Sequence, residues 1–228
     1  MTKILTIGHR GARGYEPENT MPSFLKAIEL KADGVEFDVH VCKSGELIVI
    51  HDFTVDRTTN GTGAVSDLTL SALKKLRIQE KYEIPTLDAV LVLYNKSHFI
   101  NIELKGPHTA HLVCDCIDNW VQKERFTYSN FIVSSFQRDE LAAVASYNPD
   151  IPLGILTQAS VEQALEWAAA FNAKAIHPHF SLLTTENVAL AHEKGYKVYT
   201  WTVNEMDDIQ QIEKLGVDAI ITDFPDRI

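Results

Sequence analysis

Cysteine is scarce in this chain: Cys42, Cys114 and Cys116 are the only three in 228 residues. An odd set, with Cys114 and Cys116 two apart in a helical stretch and so pointing different ways, does not make a disulfide framework. The thiols read as small hydrophobes of a reducing compartment. No apolar run approaches the roughly 20 residues of a membrane span, and the apolar stretch within Met1–Gly8 is too short for the hydrophobic region of a secretory signal. The expected address is the cytoplasm, with no stable membrane insertion. Positive charge is in deficit, with 21 Lys and Arg against 31 Asp and Glu and a formal net charge of -10. A nucleic-acid binder carries a basic face that neutralises phosphates; here Lys74 and Lys75 sit together in a helical stretch that reads as solvated surface. Nucleic acid is therefore not an expected partner, and the same balance disfavours docking on an anionic membrane. No repeat, low-complexity tract or Gly/Ser/Pro-rich linker interrupts the chain. Residues 1–228 are expected to form one domain, a size common for a single β/α barrel.

What is present is an alternation of short apolar runs and amphipathic segments, the mark of βα units around a parallel sheet. The apolar runs predict strands at Lys3–His9, Gly34–Val41, Phe99–Lys105, Asn130–Ser134, Pro152–Leu156, Ala173–His177, Lys197–Trp201 and Asp218–Thr222. Helical patterns lie between them at Met21–Lys31, Leu87–Tyr94, Thr109–Lys123, Arg138–Tyr147, Val161–Phe171, Glu186–Glu193 and Met206–Leu215. Ser160 stands where a helix should be capped, and Gly195 and Gly216 where helices should stop. The fold class this implies is α/β, an eight-stranded (β/α)8 TIM barrel. Two features depart from a plain barrel. Val39-His40-Val41 and Leu47-Ile48-Val49-Ile50 read as a hairpin that opens an insertion over about residues 42–85, with a helical stretch near Ser71–Leu76. Connections this long in a compact domain are usually functional. At the other end, Ile228 leaves no room for a full helix after the last strand. That helix is expected to be truncated or missing, with the wall exposed or covered by a partner, so that a homo-oligomer stays open.

Strands of a parallel barrel are buried on both faces and should be nearly continuous Val, Ile and Leu. The second strand instead reads Gly-Val-Glu-Phe-Asp-Val, with Glu36 and Asp38 on one face by the two-residue period. The third ends in Glu103 and Lys105. An isolated buried carboxylate costs several kcal/mol unless something compensates it. Either ion pairs with Arg10 and Lys105 or a hard divalent cation would satisfy three converging acids, and an all-oxygen set suits the cation.

The first strand ends in His9 and Arg10, and the hairpin returns His51 beside the Glu36/Asp38 region. Two imidazoles able to move protons near neutral pH, beside a guanidinium that can fork onto phosphate oxygens, make a plausible set for cleaving a phosphodiester. Phe136 and Trp201, at the ends of the fourth and seventh strands, could wall an apolar pocket or be ordinary rim. His177 ends the sixth strand and His179 follows closely, and a position at the mouth would let His177 touch substrate or support a group that does. His40, His98, His108, His111 and His192 read as surface. Every charged or aromatic oddity falls at the carboxyl end of a strand, the face on which barrel enzymes build their sites.

These residues also carry a resemblance. His9-Arg10-Gly11-Ala12 followed by Pro17-Glu18-Asn19-Thr20 resembles the opening signature of glycerophosphodiester phosphodiesterases. Glu36-x-Asp38, His51-Asp52, Glu103-x-Lys105, Ser134-x-Phe136, Trp201-Thr202-Val203-Asn204 and Gly216-Val217-Asp218-x-Ile220-Ile221-Thr222-Asp223-x-Pro225 fit the same family, in order and along the whole chain. The resemblance implies that Glu36, Asp38 and Glu103 carry a divalent cation, Mg²⁺ or Ca²⁺. It makes His9 and His51 the acid/base pair and puts Arg10 and Lys105 on the phosphate, with Phe136 and Trp201 also on the substrate side. Glu18 and Asn19 are grouped with these and expected to support the cation's ligands. The insertion would cap the glycerol side of a small-molecule glycerophosphodiester, and the products would be sn-glycerol 3-phosphate and a free alcohol.

Three rivals are weighed. A lysophospholipase D would cut the same bond but wants a larger apolar mouth than the loops suggest. A sugar-phosphate isomerase or lyase holds its phosphate at glycine-rich loops after the last two strands, which here read Trp-Thr-Val-Asn and Thr-Asp-Phe-Pro. A non-catalytic barrel that only binds a phosphodiester would be expected to have lost a histidine or a carboxylate of the set, and none is lost.

Overall fold

A computed structural model describes residues 3–228. Eight parallel strands run β1 (Leu5–His9), β2 (Gly34–Val41), β4 (Phe99–Leu104), β5 (Phe131–Ser135), β6 (Leu153–Thr157), β7 (Ala175–Pro178), β8 (Lys197–Thr200) and β9 (Ala219–Thr222). Each pairs with its neighbour, and β1 pairs with both β9 and β2, closing the barrel. Every strand lies within two residues of its predicted place. The ninth strand, β3 (Leu47–Val49), is the antiparallel return of the hairpin. The first three residues of β2 pair with β1, and its last three, Val39 to Val41, pair with β3 where β1 has ended.

The helices on the outer face are α1 (Met21–Glu29), α3 (Leu87–Leu91), α4 (Ala110–Gln122), α5 (Arg138–Tyr147), α6 (Val161–Phe171), α7 (Thr185–Glu193) and α8 (Met206–Leu215). A short α2 (Leu70–Leu73) sits in the insertion, where a stretch near Ser71–Leu76 was predicted. Side-chain hydroxyls start many of them: Thr20, Thr86, Ser160 and Thr184 each accept a backbone N–H from the first turn, satisfying a donor that the helix itself leaves unpaired. Helix α4 is capped from outside. The buried carboxylate of Glu140 on α5 accepts the N–H groups of His108, Thr109 and Ala110 and the Thr109 hydroxyl, which ties two neighbouring βα units together.

Two apolar layers result. Val35, Phe37 and Val39 of β2 point outward into the large core between sheet and helices. Ile7, Ile132, Ala175, Tyr199, Ala219 and Ile221 form a smaller cluster lined up on the inward side. Gly154 makes room in that interior: a methyl there would come within 2.4 Å of the His177 ring. The insertion holds a core of its own, with Ile48, Ile50, Val55, Val65, Leu73, Ile78 and Ile84 buried together. At ~1.5–3 kcal/mol per buried aliphatic side chain, this orders a stretch that has little regular structure. After β9 the chain makes only a 3-10 turn, Pro225–Arg227, as expected, and Ile228 packs on the outer core. Among the described residues, no helix is long and apolar enough to cross a membrane.

Candidate active site

The carboxyl ends of the strands surround a cavity of about 410 Å³. Register places its parts. His9 is level with Glu36, Glu36 with Asn101, and Asp38 with Glu103, so two adjacent strands, β2 and β4, deliver the acids to one spot and β1 brings His9 beside them. Glu36, Asp38 and Glu103 are 4%, 1% and 8% exposed, and each offers an oxygen within 4.8 Å of the others. Burial, and then the charges of Asp38 and Glu103, push the Glu36 carboxyl well up. Burial and Asp38 likewise push Glu103 up to about 7. At Asp38, burial is outweighed by Arg10, His51, Lys105 and a hydrogen bond from Asn19, and the carboxyl is held low. A proton-hungry cluster of hard oxygen donors suits a divalent cation of the Mg²⁺ or Ca²⁺ kind.

Local backbone geometry serves the same cluster. Arg10 and Asn19 both have positive φ, +50° and +55°, a region that non-glycine residues rarely adopt. At Arg10 this turns the N–H onto Glu36 at 3.1 Å, while its carbonyl accepts from the Asn19 N–H and the Ser23 hydroxyl. Gly11, at φ +86°, keeps the turn against Ser23, where a methyl would clash at 2.4 Å. Asn19 then donates its amide to Asp38 at 3.0 Å.

Each site histidine is held by a carboxylate. His9 Nδ1 donates to Asp223 at 2.6 Å, and His51 Nδ1 donates to Asp52 at 2.7 Å. These bonds fix the tautomer and turn both Nε2 atoms the other way; His9 Nε2 lies 4.0 Å from Glu36. For both rings burial is the main influence and lowers the pKa, partly offset by the neighbouring acids.

Lys105 donates to Glu103 at 2.9 Å, and Arg10 Nη1 to Glu18 at 2.8 Å. Both cations also line the cavity, with Arg13, Asn101 and Gln158. Phe136 and Trp201 form the apolar side, their rings edge to face at 5.6 Å, with the Lys105 ammonium 5.7 Å from the Phe136 ring centre.

Glu18 and Asn19 are not among the residues that line the cavity; they stand behind it, Asn19 on Asp38 as a support for that carboxylate and Glu18 on Arg10 instead of on an acid of the cluster. Two further expectations need correction. His177 is not at the mouth. It is fully buried against Tyr199 inside the barrel, where burial lowers its pKa to about 3, and it meets the site only by accepting the Trp201 indole N–H on its carbonyl at 2.8 Å. His40 is not on the surface but 3% exposed, its Nε2 donating to the His51 carbonyl at 3.1 Å. His108, His111 and His192 are exposed, and His98 is half-buried against Tyr94. The sequence reading gave no place in the site to Asp223, which holds His9, to Arg13 and Asn101, which line the cavity, or to Arg57, which bonds Asp52 and Glu18. Asp223 had a signal, an acid directly after a strand; Arg57, in an irregular stretch of the insertion, had none.

Comparison with known proteins places this geometry. Residues 9–227 match the model of the glycerophosphoryl diester phosphodiesterase family. A glycerophosphodiester phosphodiesterase of Caldanaerobacter subterraneus subsp. tengcongensis is 38% identical, over 99% of this chain and 96% of its own length. One from Bacillus subtilis is 33% identical, over 98% and 85%. Among solved structures, an Oleispira antarctica phosphodiesterase in complex with the product sn-glycerol-3-phosphate superposes with a TM-score of 0.88 at 27% identity, covering 98% of this chain and 94% of that one. A glycerophosphodiester phosphodiesterase from Thermotoga maritima gives 0.83 at 28% identity, covering 99% and 97%.

Proposed function

The chain belongs to the glycerophosphoryl diester phosphodiesterase family of enzymes, and on that premise we propose that it hydrolyses glycerophosphodiesters to sn-glycerol 3-phosphate and an alcohol by metal-dependent acid/base catalysis. One observation carries the finer reading: two histidines, each with Nδ1 held by a carboxylate, line the same cavity as Glu36 and Glu103, two of three buried, mutually close acids.

Glu36, Asp38 and Glu103 would hold the cation. When bound, a dication supplies stabilisation for the charge that builds on the phosphoryl oxygens. The chain's own groups do the rest. Lys105 and the free arm of Arg10 bind and orient the diester phosphate, adding preorganised positive charge. One imidazole Nε2 takes the proton of the attacking oxygen as the new P–O bond forms. The other, protonated, gives its proton to the alcohol oxygen as the old P–O bond breaks, so that one water is consumed overall. Asp223 and Asp52 keep both rings in the tautomer this needs and stabilise the imidazolium that appears. Asn19 fixes Asp38, in the way that groups behind metal ligands set their orientation. Phe136 and Trp201 exclude water on the side away from the acids. A cytoplasmic address is part of the proposal, supported by Cys42, Cys114 and Cys116 standing as thiols.

Release of sn-glycerol 3-phosphate from glycerophosphocholine tests it. EDTA should silence the enzyme, and Mg²⁺ or Ca²⁺ should restore it. His9→Ala and His51→Ala should each lower kcat by about 10²–10⁴-fold with an unchanged circular dichroism spectrum. Turnover retained in either variant would reject that histidine as a proton carrier.

A further inference from the structure

Arg57 lies in a turn of the insertion, on no regular element, with its side chain half-exposed. Its guanidinium nevertheless makes four hydrogen bonds to two carboxylates from different parts of the chain. Nε and Nη2 donate to Asp52 at 2.6 and 3.0 Å, and Nη1 and Nη2 donate to Glu18 at 3.1 and 2.7 Å. Asp52 is the acceptor for His51 Nδ1 at 2.7 Å. Glu18 belongs to the loop after β1 and is itself held by Arg10. One planar fork thus spans from the barrel rim to the acid that orients a cavity-lining imidazole.

A lone exposed ion pair is worth little, because water screens it and two long side chains must be frozen to make it. Doubly bidentate geometry is different in kind. It fixes the plane and rotation of the Asp52 carboxylate, which a single point charge cannot do. Asp52 has only two oxygens, and with one facing His51 and both tied to Arg57 it has no freedom left to turn away. Without Arg57, the carboxylate half-exposed beside His51 could rotate into water, and the His51 ring would lose its anchor.

We propose that Arg57 is a positioning residue for the reaction: it locks Asp52, and through Asp52 the His51 ring, using Glu18 as its anchor on the barrel. This rests on the reading of His51 as a proton carrier. Arg57 is not among the residues that line the cavity, so its loss should appear in kcat rather than in KM. Arg57→Ala, assayed on glycerophosphocholine with saturating dication, should lower kcat by about 10–100-fold, the usual effect of removing a group behind a functional side chain, with KM within about 3-fold. Its melting temperature should stay within about 3 °C, as suits an exposed pair. Arg57→Lys should recover part of the loss, since an ammonium can hold one carboxylate but not both. In an Asp52→Asn background, Arg57→Ala should change kcat by less than about 3-fold, because the route through which it acts is already cut. The inference is overturned if Arg57→Ala alone keeps kcat within about 3-fold, if the loss lies in KM, or if the full loss persists in the Asp52→Asn background. A His51→Ala enzyme that still turns over would instead remove the reading beneath it, so the two failures are told apart.

Discussion

Neutralising one acid of the buried cluster should stabilise the protein without metal and destabilise it with metal. Glu103 is the acid to change. Burial and the neighbouring Asp38 charge raise its carboxyl from 4.5 to about 7. An acid whose folded pKa lies above its unfolded value binds more protons in the folded state, so stability falls as pH rises from 4.5 through 7 and stays low beyond. The full effect is ~3 kcal/mol above pH 7, at about 1.4 kcal/mol per pH unit of displacement. Glu103→Gln removes that charge but also weakens the 2.9 Å contact from Lys105, worth ~1 kcal/mol. In EDTA at pH 8 the variant should therefore be ~2 kcal/mol more stable than the parent, or roughly 4–8 °C in melting temperature for a chain of this size. At pH 5 the wild-type carboxyl is protonated when folded, and the gap should close to about 1 kcal/mol or less. Comparing the two proteins at each pH cancels the titration of His40 and His177, which is common to both. With saturating Mg²⁺ or Ca²⁺ the order should reverse, since the amide gives up an anionic donor to the cation. Differential scanning fluorimetry at pH 5 and 8, with EDTA or metal, reads all four cases. A variant less stable than the parent in EDTA at pH 8 would refute the claim that these acids repel one another when no cation is held.

Two other outcomes follow from contacts outside the reacting groups. Asn19→Ala frees the Asp38 carboxylate from its 3.0 Å amide donor and should weaken dication affinity by about 10–100-fold, measured by calorimetric titration of the metal-free protein; unchanged affinity would dismiss Asn19 as a support. Glu140→Ala leaves three backbone N–H groups at the start of α4 without their acceptor and should lower stability by ~2–4 kcal/mol. Its kcat at 25 °C should stay that of the parent, and a loss of turnover in fully folded protein would show that Glu140 reaches the site.

The barrel was legible because each strand is buried on both faces, so apolar runs of four to six residues stand out against amphipathic helices. The acids were legible for the converse reason: Glu36, Asp38 and Glu103 break runs that have no solvent to put them in. His40 could have been read by the same rule. It shares the two-residue period of Glu36 and Asp38 and is buried with them, yet a lone histidine in a hairpin looks like surface. What stayed hidden was pairing across long separations. His9 and Asp223 are 214 residues apart, and only closure of β1 on β9 makes them neighbours. Arg57 is harder still, because its insertion is ordered by a small core of its own and has no period from which the direction of a side chain could be read.

Charge accounting ties these pieces into one device. Around the cavity stand six carboxylates, Glu18, Glu36, Asp38, Asp52, Glu103 and Asp223, against four fixed cations, Arg10, Arg13, Arg57 and Lys105. Glu18, Asp52 and Asp223 are all held low, Glu18 at about 2, because guanidinium or imidazole partners outweigh their burial. The uncompensated charge therefore collects on the inner three, two of which have their carboxyls pushed up by burial and by the charge of Asp38. A single dication held there, as proposed, would close the deficit that four cations leave, while Asp223 and Asp52 give each histidine a carboxylate partner of its own. Were the histidines to lean on Glu36 and Asp38 instead, every proton they moved would disturb the ligands of the cation. Separate carboxylates for metal and for proton transfer would let both proposed roles share one cavity of about 410 Å³.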